Sequence, residues 1–170
     1  KWSPRMRFRV IAYESLSQSA RIFAEQIAYC DDGKPFLVLD ESIFVKNGAS
    51  LRWQRCKEIR KRCEFCLILN GTPVVKDEMD LYWQMEMLDS RIIPYNAEDF
   101  RSSFFDKRIY HQSKRRDVVT YKFAKQNAEA LAKMVAPYTF QVDVDYGISE
   151  NDKIIVVEPT AETRKAYSKL

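Results

Sequence analysis

Two adjacent carboxylates, Asp40 and Glu41, follow the apolar run Phe36-Leu37-Val38-Leu39. A carboxylate at a strand end can hold Mg2+ through water, and an adjacent one can orient and deprotonate an attacking water. Phosphoryl transfer from ATP needs both tasks done at one place. The same pair also suits a solvated turn or a helix N-terminus, where acids favour the dipole. A second punctuated segment, Asn70-Gly71-Thr72-Pro73, closes the next apolar run, Phe65 to Leu69. In open parallel sheets chemistry collects beyond the carboxyl ends of strands, and both segments fall there.

Two basic segments are the next candidates. Arg52, Arg55, Lys57, Arg60, Lys61 and Arg62 crowd residues 52–62 against a single acid, Glu58. On a helix they form either a plain solvated side or a set of phosphate contacts. Lys107, Arg108, Lys114, Arg115 and Arg116 form a second segment, with Tyr110 and His111 interleaved as suits a nucleic-acid surface. Cys63 and Cys66 make one C-x-x-C, and His111 is the only histidine. A zinc ribbon needs a second pair, so reduced cysteines of an intracellular protein are expected, with zinc or redox roles as alternatives.

The elements that must position these residues follow from periodicity. Residues 9–13 read as a strand, about 16–29 as a helix, and 31–35 as a turn. Phe36–Leu39 and Phe65–Leu69 read as strands buried on both faces, as in a parallel sheet. Ser50 caps a helix to about Arg62, and another helix spans about 77–88. This alternation argues for βαβ units. The second half is less regular. Helices are expected at about 97–105, opened by Asn96, and at about 125–135. A strand is expected over Ile154–Val157, then a last helix capped by Thr160.

Taken together, the strings resemble the SNF2 family of superfamily 2 DNA-dependent ATPases. That family's Walker B motif reads Asp-Glu-Ala-His, then two residues and Lys-Asn. This chain has Asp40-Glu41-Ser42-Ile43-Phe44-Val45-Lys46-Asn47. The family's Leu-Thr-Gly-Thr-Pro is matched by Leu69-Asn70-Gly71-Thr72-Pro73, and its Glu-Leu-Trp by Asp80-Leu81-Tyr82. Tyr13-Glu14-Ser15-Leu16 is similar to the Tyr-Glu-Thr-Leu stretch that meets the DNA backbone. Phe100–Phe105, Pro137-Tyr138 and 155–170 extend the likeness over nearly the whole chain.

The resemblance implies an α/β fold, a partial RecA-like parallel sheet flanked by helices with a helical, irregular C-terminal part. It implies part of a first lobe over residues 1–106 and an extension toward a second lobe over 107–170. Asp40 would bind Mg2+ and ATP, the metal through water, and Glu41 would be the general base. Gly71, Thr72 and Pro73 would link nucleotide state to DNA grip. Tyr13 and Glu14 would lie near the DNA-facing edge, and the basic segments add Arg52, Arg55, Lys107, Arg108, Lys114, Arg115 and Arg116 as candidate contacts to double-stranded DNA. The implied partners are duplex DNA and a second RecA-like lobe.

Departures limit that expectation. Ile43 stands where the pattern has His, Asn70 where it has Thr, and residues 141–146 lack an Arg-rich run. No G-x-x-x-x-G-K-[ST] occurs in the 170 residues, so no phosphate cradle is supplied. The chain alone is therefore expected neither to bind ATP tightly nor to hydrolyse it. The alternative is a binding module on a degenerate lobe, gripping DNA or protein without turnover.

Length and composition agree with these bounds. A chain of 170 residues is about one domain and cannot hold two full α/β lobes. With Lys1 in place of an initiator Met, a piece of something longer is expected. Hydrophobic residues at 46% and charged residues at 31% exclude a disordered chain. Apolar runs are too short for a membrane span, no signal-peptide pattern opens the chain, and an intracellular site is expected. The net charge of +4 is compatible with nucleic acid without establishing it.

Overall fold

The structure, a computed structural model, describes residues 8–33, 35–110, 118–142 and 160–167. The chain divides into two compact units, 1–139 and 140–170. In the first, a βαβ unit holds the acidic turn. β1 (Phe36–Leu39) and β2 (Phe65–Ile68) pair in parallel, with Phe36 opposite Phe65 and Leu39 opposite Ile68. Between them runs α3 (Leu51–Arg60), started by Ser50, whose hydroxyl accepts from Trp53 N–H at 3.2 Å. The side chain thereby satisfies one of the donors that a helix start leaves unpaired.

The expected strand over 9–13 is not formed. Residues 8–12 lie outside regular structure, and Tyr13 opens the helix α1 (Tyr13–Gln18). Val10 is 96% exposed, and no described strand covers this apolar stretch. The single helix expected next is two, α1 and α2 (Ala20–Gly33). Ser19 divides them. Its extended backbone ends α1, and its hydroxyl accepts from Ile22 N–H to start α2. α2 continues through Asp31-Asp32-Gly33, where a turn was expected.

The strands are not buried on both faces either. Phe36, Val38, Phe65 and Leu67 are exposed, while Leu37, Leu39 and Ile68 pack against the core. Side chains alternate across a strand, and helices among the described residues cover only one side.

α4 (Met79–Leu88) joins two apolar clusters. Its Met87 enters the first, with Leu16, Cys30, Leu39, Cys56 and Ile59. Its Met79, Tyr82 and Met85 enter the second, with Ile93, Phe100 and Leu131. The second cluster also draws on α5 (Ala97–Phe104), β3 (Phe105–Tyr110) and α6 (Ala128–Val135). Asn96 caps α5 as expected, accepting from Glu98 and Asp99 N–H. β3 pairs antiparallel with β4 (Val118–Phe123), Lys107 opposite Tyr121 and Arg108 opposite Thr120. In the second unit α7 (Ala161–Tyr167) follows Thr160, whose hydroxyl accepts from Thr163 N–H. The expected strand over Ile154–Val157 lies outside the described residues. The described fold is α/β, a parallel strand pair flanked by helices with a helical and irregular remainder. No described helix is long and apolar enough to cross a membrane.

Candidate functional site

Asp40 and Glu41 leave β1 together and both are exposed. The Asp40 carboxylate accepts from Glu41 N–H at 3.1 Å. Glu41 is held at φ 49° and ψ 56°, the left-handed region that side chains beyond glycine rarely adopt. The turn is braced on both sides. Tyr13 donates its hydroxyl to the Asp40 carbonyl at 2.7 Å, and burial holds that phenol protonated well above its ordinary range. Ser42 N–H donates to the Leu69 carbonyl at 2.8 Å, fixing the acidic turn beside the end of β2.

Gly71, Thr72 and Pro73 follow that end and are exposed. The two sequence-predicted motifs are therefore neighbours at the carboxyl ends of parallel strands. Between them lies Gln84, 1% exposed on α4. Its Oε1 accepts from Ser42 Oγ at 2.7 Å and from Asn70 Nδ2 at 3.0 Å. Its Nε2 donates to the carbonyls of Pro73 and Asp80, at 2.7 and 2.8 Å. An unpartnered amide there would cost about 1–3 kcal/mol. Sequence reasoning missed Gln84. The available signal was a polar residue on the inward side of a Met-rich helix, which demands buried partners. Of its two donors, Asn70 is one of the departures from the SNF2 pattern named above.

Lys46 reaches the same region. Its ammonium lies 3.3 Å from the buried Asp80 carboxylate, which also accepts from Val75 and Lys76 N–H. Gly48 is required by close approach, since a Cβ there would fall 2.3 Å from the Trp83 ring. Asn47 holds the turn before α3, accepting from Ala49 N–H through its side chain and from Ser50 through its carbonyl.

The basic residues separate into two kinds. Arg52 pairs with Glu14 at 3.0 Å, so these two expected DNA contacts meet each other. Arg55 donates to the carbonyls of Leu16 and Ser19, capping the end of α1, and Arg60 donates to the Leu88 carbonyl at the end of α4. Lys57, Lys61 and Arg62 pair with Glu86, Glu58 and Asp31. Lys107 and Arg108 instead stand exposed on β3, near the exposed Tyr110 and Tyr121. Lys114, Arg115 and Arg116 lie outside the described residues.

Among the described residues no three His, Cys, Asp or Glu side chains gather to hold a metal. The exposed Asp40 carboxylate fits a water-mediated contact to Mg2+, which keeps several waters and takes other ligands from phosphates. Burial raises the Cys56 and Cys63 thiols to about 12 and Cys66 to about 11. At pH 7 these thiols are protonated, and a protonated thiol is a weak nucleophile.

No family model matches the chain, and no solved structure does. Over 95 residues, 56% of its length, it is 30% identical to a protein described as Helicase ssl-1 from Caenorhabditis elegans. Those residues make up 4% of that protein, so the likeness is to a small part of a helicase.

Proposed function

We infer that this chain is part of an SNF2-type DNA-dependent ATPase, in which ATP hydrolysis drives movement on duplex DNA. The observation that carries the reading is the juxtaposition of two motifs. The Asp40-Glu41 turn and the Gly71-Thr72-Pro73 loop leave adjacent parallel strands and are tied through Leu69 and Gln84. The helicase likeness supports the same class. Residues 1–106 then belong to the first RecA-like lobe, and 107–170 lead toward a second that this chain does not hold. The site of action is intracellular.

Asp40 would hold Mg2+ of bound ATP through water, and the metal would neutralise charge on the phosphates. The Glu41 carboxylate accepts the proton of the attacking water. Its left-handed backbone turns it away from the direction of β1, and the Asp40 carboxylate fixes that turn by taking the Glu41 N–H. The Gly-Thr-Pro loop passes the nucleotide state toward the DNA-binding surface. Lys107 and Arg108 on the exposed β3 face are the better placed phosphate contacts, because Arg52 and Arg55 already satisfy groups within the chain. No phosphate cradle occurs in these residues, so turnover belongs to the full-length protein.

The test is ATP turnover by the full-length protein with duplex DNA present. Glu41→Gln should lower kcat by about a hundredfold or more, the range expected for losing a general base. Turnover unchanged in Glu41→Gln would remove the ATPase reading and leave a binding module.

A further inference from the structure

The four hydrogen bonds of Gln84 reach both motifs of the site. Ser42, which donates to Oε1, is the residue after Glu41, and its N–H is itself fixed to the Leu69 carbonyl. Asn70, the second donor to Oε1, opens the Gly-Thr-Pro loop and also accepts from Thr72 N–H at 3.0 Å. Pro73, which accepts from Nε2, closes that loop. The fourth bond, to the Asp80 carbonyl, anchors the amide on its own helix. A primary amide has two acceptor lone pairs and two donor hydrogens, and Gln84 uses all of them. It cannot follow one segment without releasing the other, because an unmade bond in this buried setting is costly.

We propose that Gln84 is a positioning residue that couples the Asp40-Glu41 turn to the Asn70–Pro73 loop. Displacement of the acidic turn, through Ser42, moves the amide and with it the carbonyl and side-chain contacts that shape the loop. The proposal rests on the ATPase reading and names the device that regulates that site. Lys46 and Asp80 form a separate tether: the Asp80 carboxylate pairs with Lys46 and fixes residues 75 and 76, beyond the loop.

The experiment uses the full-length protein with Mg-ATP, with and without duplex DNA. Gln84→Met keeps length and removes all four bonds. Ser42→Ala and Asn70→Ala each remove one donor to Oε1 and keep the fold should Gln84→Met lose it. Each change should cut the stimulation of kcat by DNA about five- to tenfold, near the effect of one buried hydrogen bond. The KM for ATP should move less than about twofold. Amide hydrogen exchange at Gly71 and Thr72 should quicken. The Ser42→Ala/Asn70→Ala pair should be less than additive, since both act through one amide. Stimulation within about twofold of wild type in both single variants would overturn the proposal. So would an equal fall with and without DNA that tracks a lower Tm, which is a structural role only. Glu41→Gln in parallel separates the two readings. If it spares turnover, the ATPase reading falls and this proposal with it. If it abolishes turnover while DNA stimulation survives in the Gln84 set, this proposal alone falls.

Discussion

Glu41 carries the one positive φ outside glycine among the described residues, and it is the residue proposed as the general base. A left-handed conformation costs a side-chain-bearing residue about 1–2 kcal/mol, and such strain tends to persist where function requires a direction. The neighbouring contacts to Tyr13, Asp40 and Leu69 are what hold it. Glu41→Gly should therefore raise stability by about 1 kcal/mol, less the extra entropy that glycine loses on folding, while removing the proposed base. Urea unfolding of the variant checks this, and a fall in stability would show that the carboxylate itself was stabilising. The two acids were legible from the sequence because carboxylates after an apolar run carry their own meaning. The strain was not, because φ at a non-glycine residue is set by the tertiary braces around it.

At the scale of elements, two basic segments that look alike in sequence do different work. The guanidinium groups of α3 point back into the chain and satisfy the orphan carbonyls that end α1 and α4. Lys107 and Arg108 of β3 instead stand on an exposed two-stranded ribbon. Arg55→Ala should thus lower Tm and leave the salt dependence of DNA binding by the full-length protein unchanged. Lys107→Ala should leave Tm unchanged and lower the slope of log affinity against log salt by about 1. The reverse pattern would reassign the DNA surface to α3. Cap residues Ser50, Asn96 and Thr160 were readable because their side chains act on the next turn. The failure at residues 9–13 has the opposite cause. A strand is defined by a partner, and alternation along one segment does not say whether the partner is there.

At the scale of the whole first unit, one helix serves both apolar clusters, and the first cluster is rich in thiols. Cys30, Cys56 and Cys63 are buried there, and burial lifts their titration above the ordinary 9.0. The folded chain keeps protons that the unfolded chain releases. That contribution to stability is complete below pH 9.0 and is lost as pH rises toward about 12. Urea midpoints should fall across this window, and Cys56→Ala should show a shallower fall. An unchanged slope would mean that the thiol titrates alike in the folded and unfolded states. The parallel pairing of β1 and β2 and the place of the motifs at their ends were legible from the apolar runs. The open sheet face was not, because a continuous apolar run is equally compatible with one covered face or two. The contact between Gly48 and the Trp83 ring has an optical consequence. Trp83 and Trp53 lie 5.3 Å apart at 74°, joined by the Trp53 indole N–H to the Trp83 carbonyl. Trp83 immediately precedes Gln84, and its ring rests on the segment that begins with Lys46 and Asn47. The protein thus carries an unlabelled chromophore pair against residues 46–48, which follow the acidic turn, and its circular dichroism and emission register any shift of that segment relative to α4.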